Sequence, residues 1–340
     1  MKKVRIVTIV SYNFGNRLQN LALTRTLENL DCEVKTVPSK KNYKAKKMVT
    51  MLIKPFLGRK NTWEVFEKKI SYDKNLAYDI DIDKIDYFIT GSDQVWNPKF
   101  PFNSKREFLD FAKPEQRIAY AASIAISAFP EELKEEYGAE LKKFKAISVR
   151  EESAINIVKD MSGRDAELVV DPVMLLKDDE WNKEIGKDRL YKAPYVAVYF
   201  LGDKDNECVK EILSQKREEG YKIIDILDIN NKKNGMLGPV EFVKVIRDAD
   251  FVVTDSFHAT VFSIIFHTNF ATIDRSKYKN VDMSTRLLTL LKMFGFENRF
   301  LRTKDDLKKI KYDCDFTMVD DIIDKEREKA LSFLKVALDV

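Results

Sequence analysis

The residue best placed for chemistry is a histidine. The sequence has two histidines, and His258 follows the apolar run Phe251–Thr254 and starts a segment with helical spacing. Histidine exchanges a proton near neutral pH, and the amino end of a helix favours an anionic ligand. The alternative for His258 is a capping or packing role. We predict that His258 faces an anionic ligand and that His267, late in the same helix, is a helix C-terminal or packing residue.

Basic side chains near other predicted strand ends could bind the same anion. Arg150 ends a strand, and its planar guanidinium can hold a carboxylate or phosphate through two parallel hydrogen bonds. Arg275 and Lys277 follow the apolar run FATI, and Arg286 lies on the next predicted helix. The alternatives are solvated surface charge for the last three and, for Arg150, an ion pair with a neighbouring helix or with one of the two glutamates after it. Those glutamates are predicted to favour the first turn of their own helix.

The loop after the first predicted strand carries side chains suited to sugar hydroxyls. Asn13, Asn16, Arg17 and Gln19 offer amide and guanidinium groups. Asn16 could equally be the N-cap of the following helix, with Gln19 completing a capping box. For these two residues the sequence leaves binding and capping open.

A second loop, GSDQVWNP, has a similar composition. Asp93 and Gln94 could bind hydroxyls, while Trp96 could stack against a sugar face. The alternatives are a turn that Asp93 stabilises through its own side chain and a buried tryptophan. An attacking hydroxyl would also need a base, and the sequence does not choose between Asp93 and Asp255.

Composition excludes several classes of protein. The 340 residues include 59 basic and 55 acidic side chains, and this near balance argues against a nucleic-acid binder. Two histidines and three cysteines argue against a multi-histidine or zinc site, so we predict no metal. No apolar run approaches the roughly 20 residues of a membrane span. Three widely separated cysteines suit a reducing cytoplasm.

Two successive α/β patterns position these loops. The apolar runs that predict strands are 4–10, 33–37, 85–90, 117–123, 146–149, 167–170, 195–201, 222–226, 251–254 and 269–273. The segments that predict helices are 18–30, 131–144, 151–159, 206–218, 239–247, 258–266, 285–294 and 320–338. In open sheets of this kind, ligands bind beyond the carboxyl ends of the strands.

This order predicts an α/β protein of two doubly wound Rossmann-like domains facing a cleft. We place the N-terminal domain at 1–177 and the C-terminal domain at 178–312. Residues 313–340 are predicted to form a charged amphipathic helix that packs back on the body. The N-terminal loops are the acceptor side of this prediction, and the C-terminal loops are the donor side.

Five segments, in order, resemble the polysaccharide pyruvyl transferase family. They are NFGNRLQNLAL, TGSDQVWNP, SVREES, DPVMLL and DSFHATVFSIIF. The resemblance implies a fold like that of GT-B glycosyltransferases. It also implies a reaction in which phosphoenolpyruvate gives its three-carbon unit to two sugar hydroxyls as a cyclic ketal and phosphate leaves. Phosphoenolpyruvate is then the donor substrate, and no cofactor is expected.

The resemblance also assigns roles to residues. It implies that His258 is the general acid that protonates the methylene carbon of the enol, and that Arg150 contacts phosphoenolpyruvate. Because that donor carries nearly three negative charges, the other basic candidates are expected to support it. Some family members carry arginine-leucine before the histidine, whereas this chain has Ser256-Phe257. We keep Ser256 as a donor-side residue and expect the phosphate contact of that arginine to come from elsewhere.

The segment Lys40–Lys60 has eight basic residues and no acidic ones, interleaved with apolar residues. Such a segment can lie on an anionic membrane surface, and a lipid-linked acceptor would make that contact useful. The alternative is a solvated loop. We expect a cytoplasmic protein that can contact the inner face of the membrane and whose acceptor is a polysaccharide or its lipid-linked precursor.

Two other functions fit the same sequence. The first is a GT-B-type glycosyltransferase that uses a nucleotide sugar, because one fold hosts several chemistries. The second is a non-catalytic family member that binds sugars, which the substitution at Ser256 favours. His258, Arg150 and Lys277 together favour the pyruvyl transferase.

Overall fold

The chain forms two units, each built around its own parallel sheet. The structure is a computed structural model and describes residues 1–39, 59–100, 105–192, 194–228, 237–275, 284–308 and 311–340. Unit 1 consists of the described residues of Met1–Lys54, Glu67–Leu176 and Asp324–Val340, and unit 2 of those of Pro55–Phe66 and Lys177–Ile323. The domain limits expected at residues 177 and 312 stay a prediction.

Most strands of both units are followed by a helix. The strands are β1 (Lys2–Val7), β2 (Cys32–Thr36), β3 (Tyr87–Thr90), β4 (Arg117–Ala122), β5 (Ala146–Val149), β6 (Glu167–Leu168), β7 (Tyr195–Tyr199), β8 (Lys222–Asp225), β9 (Phe251–Thr254), β10 (Phe270–Ile273) and β11 (Phe300–Leu301). The helices are α1 (Phe14–Asn29), α2 (Arg59–Glu67), α3 (Glu131–Leu141), α4 (Glu152–Ser162), α5 (Asp178–Ile185), α6 (Glu207–Glu218), α7 (Pro239–Arg247), α8 (Phe257–Ile265), α9 (Thr285–Met293), α10 (Lys304–Leu307) and α11 (Val319–Leu338). Among the described helices none is long and apolar enough to cross a bilayer.

The sheet of unit 1 has six parallel strands in the order β2-β1-β3-β4-β5-β6. Every residue of β3 and of β4 is buried, as expected for strands covered by helices on both faces. The chain passes from β1 to its neighbour β2 and then back across β1 to its other neighbour, β3. The direction of the connections along the sheet therefore changes at β1. In doubly wound sheets the ligand site lies at such a switch point, beyond the carboxyl ends of the two strands.

The sheet of unit 2 has five parallel strands in the order β11-β10-β9-β7-β8. Its core includes Val196, Val198, Phe251 and Val253. The connections reverse direction between β7 and β9, so the loops after these two strands lie at the second switch point. These sheets confirm the predicted α/β class with two doubly wound parallel sheets.

The C-terminal helix α11 is present as predicted, and its end is fixed to unit 1. Leu334 and Leu338 are fully buried. One oxygen of the Asp339 carboxylate accepts hydrogen bonds from the Tyr87 hydroxyl at 2.5 Å and from the Lys145 ammonium at 2.6 Å. Tyr87 begins β3, so the end of the chain is tied to the amino end of a central strand.

Four short elements had no sequence prediction: α2, α5, β11 and α10. Helix α5 begins at Asp178, the first residue of the C-terminal domain expected from sequence. Its first turn is acidic, which complements the helix dipole, and the Glu180 side chain accepts a hydrogen bond from the Lys177 amide at 2.8 Å. Trp181 is fully buried and packs edge-to-face against Phe262, with ring centroids 5.0 Å apart. This helix has eight residues and two buried positions, which are too few for the helical repeat of apolar residues to be recognised in the sequence.

Candidate active site

In unit 1, Arg150 lies at the carboxyl end of β5 in a buried network of opposite charge. Its guanidinium donates hydrogen bonds to the carboxylates of Asp171 and Asp93, the latter at 3.3 Å, and to the Ser92 hydroxyl at 3.4 Å. The side chains of Arg150 and Asp171 are 1% and 0% exposed. Burial alone would lower the pKa of Arg150, but Asp171, Asp93 and Glu151 outweigh it and raise the pKa. Arg150 is therefore a buried cation that hydrogen-bonds to two aspartates, and Glu151, one of the glutamates considered from sequence, stabilises its charge as well.

Gln19 joins the first two loops of the unit 1 site. Its side-chain oxygen accepts a hydrogen bond from the Ser92 amide at 3.0 Å, and its amide group donates to the Thr8 hydroxyl at 2.9 Å. The Thr8 hydroxyl in turn donates to the Ser92 carbonyl at 3.2 Å. Gln19 is fully buried, so these contacts tie the loop after β1 to the loop after β3.

Helix α1 begins earlier than predicted, which changes the role of two candidates. Its N-cap is Asn13, whose side chain accepts a hydrogen bond from the Asn16 amide at 3.3 Å. Asn16 is therefore in the first turn, where its own side chain donates to the Asp93 carboxylate and contacts the Ser11 hydroxyl. The capping box considered for Asn16 and Gln19 is absent because both side chains have partners in neighbouring loops.

Two residues expected to face the acceptor are buried instead. Arg17 is fully buried and pairs with Glu67 at 3.0 Å. Trp96 is 1% exposed, donates its indole N–H to the Glu107 carbonyl at 3.2 Å and stacks on Phe108. Trp96 therefore has the buried position that was the alternative to sugar stacking. Its large apolar ring is stabilised by removal from water, and its N–H group has a hydrogen-bond partner.

Two of the remaining acceptor candidates lie nearer to solvent. Asn13 and Gln94 are half-buried, whereas Asp93 is 7% exposed and belongs to the buried Arg150 network. The Asp93 carboxylate accepts a hydrogen bond from the amide of the next residue, Gln94, at 2.9 Å. Asn13 and Gln94 thus form the more accessible part of the unit 1 site, and the contact of all three residues with an acceptor stays a prediction.

Glu151 supports another loop of the same edge. One of its carboxylate oxygens accepts hydrogen bonds from the amides of Ile124 and Ala125, both at 2.8 Å, and from the Ser123 hydroxyl at 3.1 Å. Glu151 is the N-cap residue of α4 and is fully buried. Its side chain therefore shapes the loop after β4, which differs from the first-turn role expected from sequence.

The loop after β3 requires glycine at its first position. Gly91 has φ +114, and a Cβ there would lie 2.2 Å from the Tyr120 carbonyl oxygen, an atom of the neighbouring strand. We expect Gly91→Ala to lower the free energy of unfolding by about 1–3 kcal/mol, because neither the backbone angle nor the strand can accommodate the methyl group. Urea denaturation measures the change. Gly220→Ala, where a Cβ would meet nothing within 4 Å at φ +87, separates the backbone strain from the steric overlap. Equal losses in both variants would contradict the steric argument.

In unit 2, a cavity of about 580 Å³ opens at the carboxyl ends of the strands. Its lining residues come from the loops after β7, β9, β10 and β11: Phe200, Asp203, Asp205, Asn206, Asp255, Ile273, Asp274, Arg275, Arg302 and Thr303. The cavity therefore lies at the switch point of this sheet, where a doubly wound fold binds its ligand. Within the described part of the chain, no three histidine, cysteine or acidic residues are grouped so that they could hold a metal ion.

His258 is the second residue of α8, directly after the loop that follows β9. Ser256 is the N-cap, and its hydroxyl accepts a hydrogen bond from the Ala259 amide at 3.4 Å. His258 is 6% exposed, and its ring packs edge-to-face against Phe257 with centroids 5.4 Å apart. The guanidinium of Arg286 lies 5.7 Å from the centroid of the same Phe257 ring. The beginning of α8 thus brings together three predicted donor-side residues, His258, Ser256 and Arg286, around Phe257.

Arg275 lies in the wall of the unit 2 cavity, beside Asp255. The closest atoms of the two side chains, a guanidinium nitrogen and a carboxylate oxygen, are 3.9 Å apart. The Asp255 carboxylate also accepts hydrogen bonds from the amides of Leu201 and Gly202, both at 2.7 Å. Asp255 therefore has three partners within the protein, which argues against the free base considered from sequence.

The predicted donor residues divide between the two units. Arg150 belongs to unit 1, whereas Ser256, His258, Arg275 and Arg286 belong to unit 2. Lys277 and the greater part of Lys40–Lys60 lie outside the described residues, so their predicted contacts stay predictions.

Sequence reasoning missed Asp171 and the cavity residues Asp274 and Arg302. Asp171 and Asp274 follow strand-like runs directly, so the rule that ligands bind beyond strand ends would have found them. Arg302 pairs with Asp274 at 3.5 Å. It follows β11, which has two residues and leaves no periodic signal.

Comparisons of the sequence and of the fold identify relatives. A family model described as "Polysaccharide pyruvyl transferase" matches residues 13–277, which is more than half of the chain. No curated protein has a matching sequence.

Several solved structures share the fold. S. aureus MnaA in its UDP co-structure is 12% identical, with a TM-score of 0.51 over 97% of this chain and 90% of that chain. A putative UDP-N-acetylglucosamine 2-epimerase from Listeria monocytogenes has the same identity and TM-score over 98% of this chain and 91% of that chain. A functionally uncharacterised protein of Klebsiella pneumoniae also gives 0.51 at 12% identity, over 88% of this chain and 93% of that chain. At such identities the likeness concerns the fold alone, and it agrees with the predicted GT-B-like architecture.

Proposed function

The chain belongs to the polysaccharide pyruvyl transferase family, and we propose that it transfers the pyruvyl group of phosphoenolpyruvate to two hydroxyls of a sugar. The acceptor in this proposal is a polysaccharide or its lipid-linked precursor. The observation that carries the proposal is the position of His258 in the first turn of α8, at the carboxyl edge of the unit 2 sheet. There a proton donor and the positive end of a helix dipole lie together.

The proposed reaction needs one proton donor at the enol. His258 protonates the methylene carbon of phosphoenolpyruvate, and the neighbouring carbon becomes oxocarbenium-like. A sugar hydroxyl adds to that carbon and releases its proton. The phosphate then leaves with the C–O bonding electrons, and the second hydroxyl adds in its place and closes the ketal. The methyl group retains the proton from His258, the proton released by one hydroxyl restores the histidine, and the proton of the other hydroxyl leaves with the phosphate.

Cations of unit 2 would hold the donor. Phosphoenolpyruvate has a carboxylate and a phosphate, and Arg275 in the cavity wall can bind either group through two hydrogen bonds. Arg286, next to Phe257, adds positive charge near the start of α8. Ser256 and Lys277 remain part of the proposal, Ser256 as the N-cap that orients the first turn of α8. The contact of Arg150 with the donor stays a proposal.

The acceptor side of the proposal rests on unit 1. Asn13 and Gln94 are its more accessible polar groups, Asp93 lies next to Gln94, and amide and carboxylate groups bind sugar hydroxyls well. Asn16 and Gln19 would act indirectly, because both hold the loops that carry these three residues. Contact of Lys40–Lys60 with the inner face of a membrane stays a proposal.

Acceptor-dependent turnover tests the function. Purified protein is incubated with phosphoenolpyruvate and a panel of sugars and lipid-linked saccharides, and phosphate release and the mass of the glycan are followed together. We expect phosphate release only with a productive acceptor, matched by the mass gain of one pyruvyl ketal. Thermal stabilisation by a UDP- or GDP-sugar and none by phosphoenolpyruvate would favour a nucleotide-sugar glycosyltransferase instead. Binding of sugars with no turnover of either donor would indicate a non-catalytic member.

A further inference from the structure

Asp255 makes an unusual set of contacts for a residue in the wall of a cavity. It follows β9 directly, and its side chain is 2% exposed. Each of its two carboxylate oxygens accepts one backbone N–H group, from Leu201 and from Gly202, at 2.7 Å. These amides belong to the loop after β7, so Asp255 joins the two loops of the unit 2 switch point.

Arg275 packs against the same pair of residues. Its guanidinium lies 3.9 Å from the Asp255 carboxylate. A Cβ added at Gly202 would lie 2.8 Å from Cδ of Arg275 and 2.9 Å from one carboxylate oxygen of Asp255. Glycine is therefore the residue that lets the loop approach this closely. Asp255, Gly202 and Arg275 form one packed group, in which a shift of any member moves the others.

The geometry explains why a carboxylate is needed. An asparagine could accept one of the two backbone N–H groups, but its NH2 group would face the other and repel it. The negative charge also neutralises part of the guanidinium charge and keeps the arginine from turning away from the loop. The Arg275 side chain keeps 14% of its surface exposed, and it lines the cavity.

We propose that Asp255 is a positioning residue, which fixes the loop after β7 and holds Arg275 where it binds the anionic donor. This inference rests on the proposed function, because it takes phosphoenolpyruvate as that donor. It takes the place of the general-base role considered from sequence, because each carboxylate oxygen already accepts a backbone N–H group.

Two variants test the proposal from opposite sides. Asp255→Asn removes the charge and one backbone contact. Gly202→Ala keeps every charge and both N–H donors but pushes the Arg275 side chain. We expect both to raise the KM for phosphoenolpyruvate by about 10- to 100-fold, the effect of losing a well-placed charged hydrogen bond. We expect kcat to change far less, since a lost binding contact acts on the ground state and the transition state alike. A merely structural role would lower the active fraction and leave KM unchanged.

Asp250→Asn is the matched control. The Asp250 carboxylate also accepts a backbone N–H group, from Tyr195 at 2.8 Å, but at the amino ends of β7 and β9. We expect this variant to keep the wild-type KM. Amide hydrogen exchange adds a measurement that needs no substrate. Asp255→Asn should accelerate exchange at Leu201 or Gly202 at least about tenfold, because an amide that has lost its hydrogen bond is no longer protected from exchange.

The outcomes separate the inference from the proposed function. If wild type binds phosphoenolpyruvate and both variants bind it equally well, the positioning role of Asp255 is overturned and the proposed function stands. If wild type neither binds nor turns over phosphoenolpyruvate, the proposed function fails and the donor role of Arg275 fails with it. Unchanged exchange at both Leu201 and Gly202 in Asp255→Asn would overturn the loop contact itself.

Discussion

His258→Asn should lower the turnover of phosphoenolpyruvate by about 10²–10⁴-fold, which is the usual contribution of a general acid. Asparagine keeps a polar side chain of similar reach but has no proton to give to carbon at neutral pH. The binding of the donor should change little, because Arg275 and the start of α8 remain. Phosphate release under saturating acceptor measures turnover, and isothermal titration measures donor binding.

The other histidine of the chain supplies the control for this prediction. His267 has a ring nitrogen 3.0 Å from the Asp320 carboxylate and stacks on Phe316, with ring centroids 5.0 Å apart. Its φ is +52, a conformation that asparagine tolerates well. His267→Asn should therefore keep wild-type turnover. Full activity in His258→Asn would refute the acid role, and equal losses in both variants would point to a general effect on folding.

Asp171→Ala should lower the free energy of unfolding by about 3–5 kcal/mol. The alanine removes the main partner of Arg150, whose side chain is 1% exposed and whose charge persists because a guanidinium keeps its proton in proteins. An uncompensated buried guanidinium is costly, and the Ser92 hydroxyl also loses an acceptor at 3.1 Å. Urea denaturation, followed by circular dichroism, gives the free energy of each variant.

Two controls make the cause of that loss identifiable. The double variant Arg150→Met with Asp171→Val removes both charges and should recover part of the stability, since an apolar pair of similar volume often replaces a buried ion pair at little cost, while Asp93 loses its contact with the guanidinium. Asp179→Ala removes one member of an exposed pair, with Lys183 at 3.0 Å, and should change stability by less than about 1 kcal/mol. A double variant no more stable than Asp171→Ala alone would mean that shape, and not charge, explains the loss.

Most of the fold could be predicted from the sequence, because each long element carries its own signal. The run Tyr195–Leu201 is apolar throughout and contains β7, and the predicted limits of α7 and β9 are those of the structure. The missed elements are short: β11 has two residues and α10 has four. Elements of this length form because of contacts with neighbouring elements, and the periodicity of apolar residues along the chain gives no information about those contacts.

The site was less predictable than the fold, since its contacts join distant parts of the chain. Arg150 was found as a strand-end arginine, but its partner Asp171 is 21 residues away and reaches it only through the sheet. Trp96 was a candidate for sugar stacking because it follows a strand in the GSDQVWNP loop, and only its packing against Phe108 shows the buried alternative to be the right one. The sequence thus identified candidate residues at strand ends, but the residues that they contact could be identified only from the folded structure.

The distribution of tryptophan has a practical consequence for fluorescence. Of the three tryptophans in the sequence, Trp96 is buried in unit 1, whereas Trp63 and Trp181 are buried in unit 2. A chain that keeps only Trp96 emits from the first sheet, and a chain that keeps only Trp181 emits from the second. The two spectra would follow the unfolding of each unit separately. They would also show whether a substitution in unit 1 such as Asp171→Ala destabilises unit 2 as well.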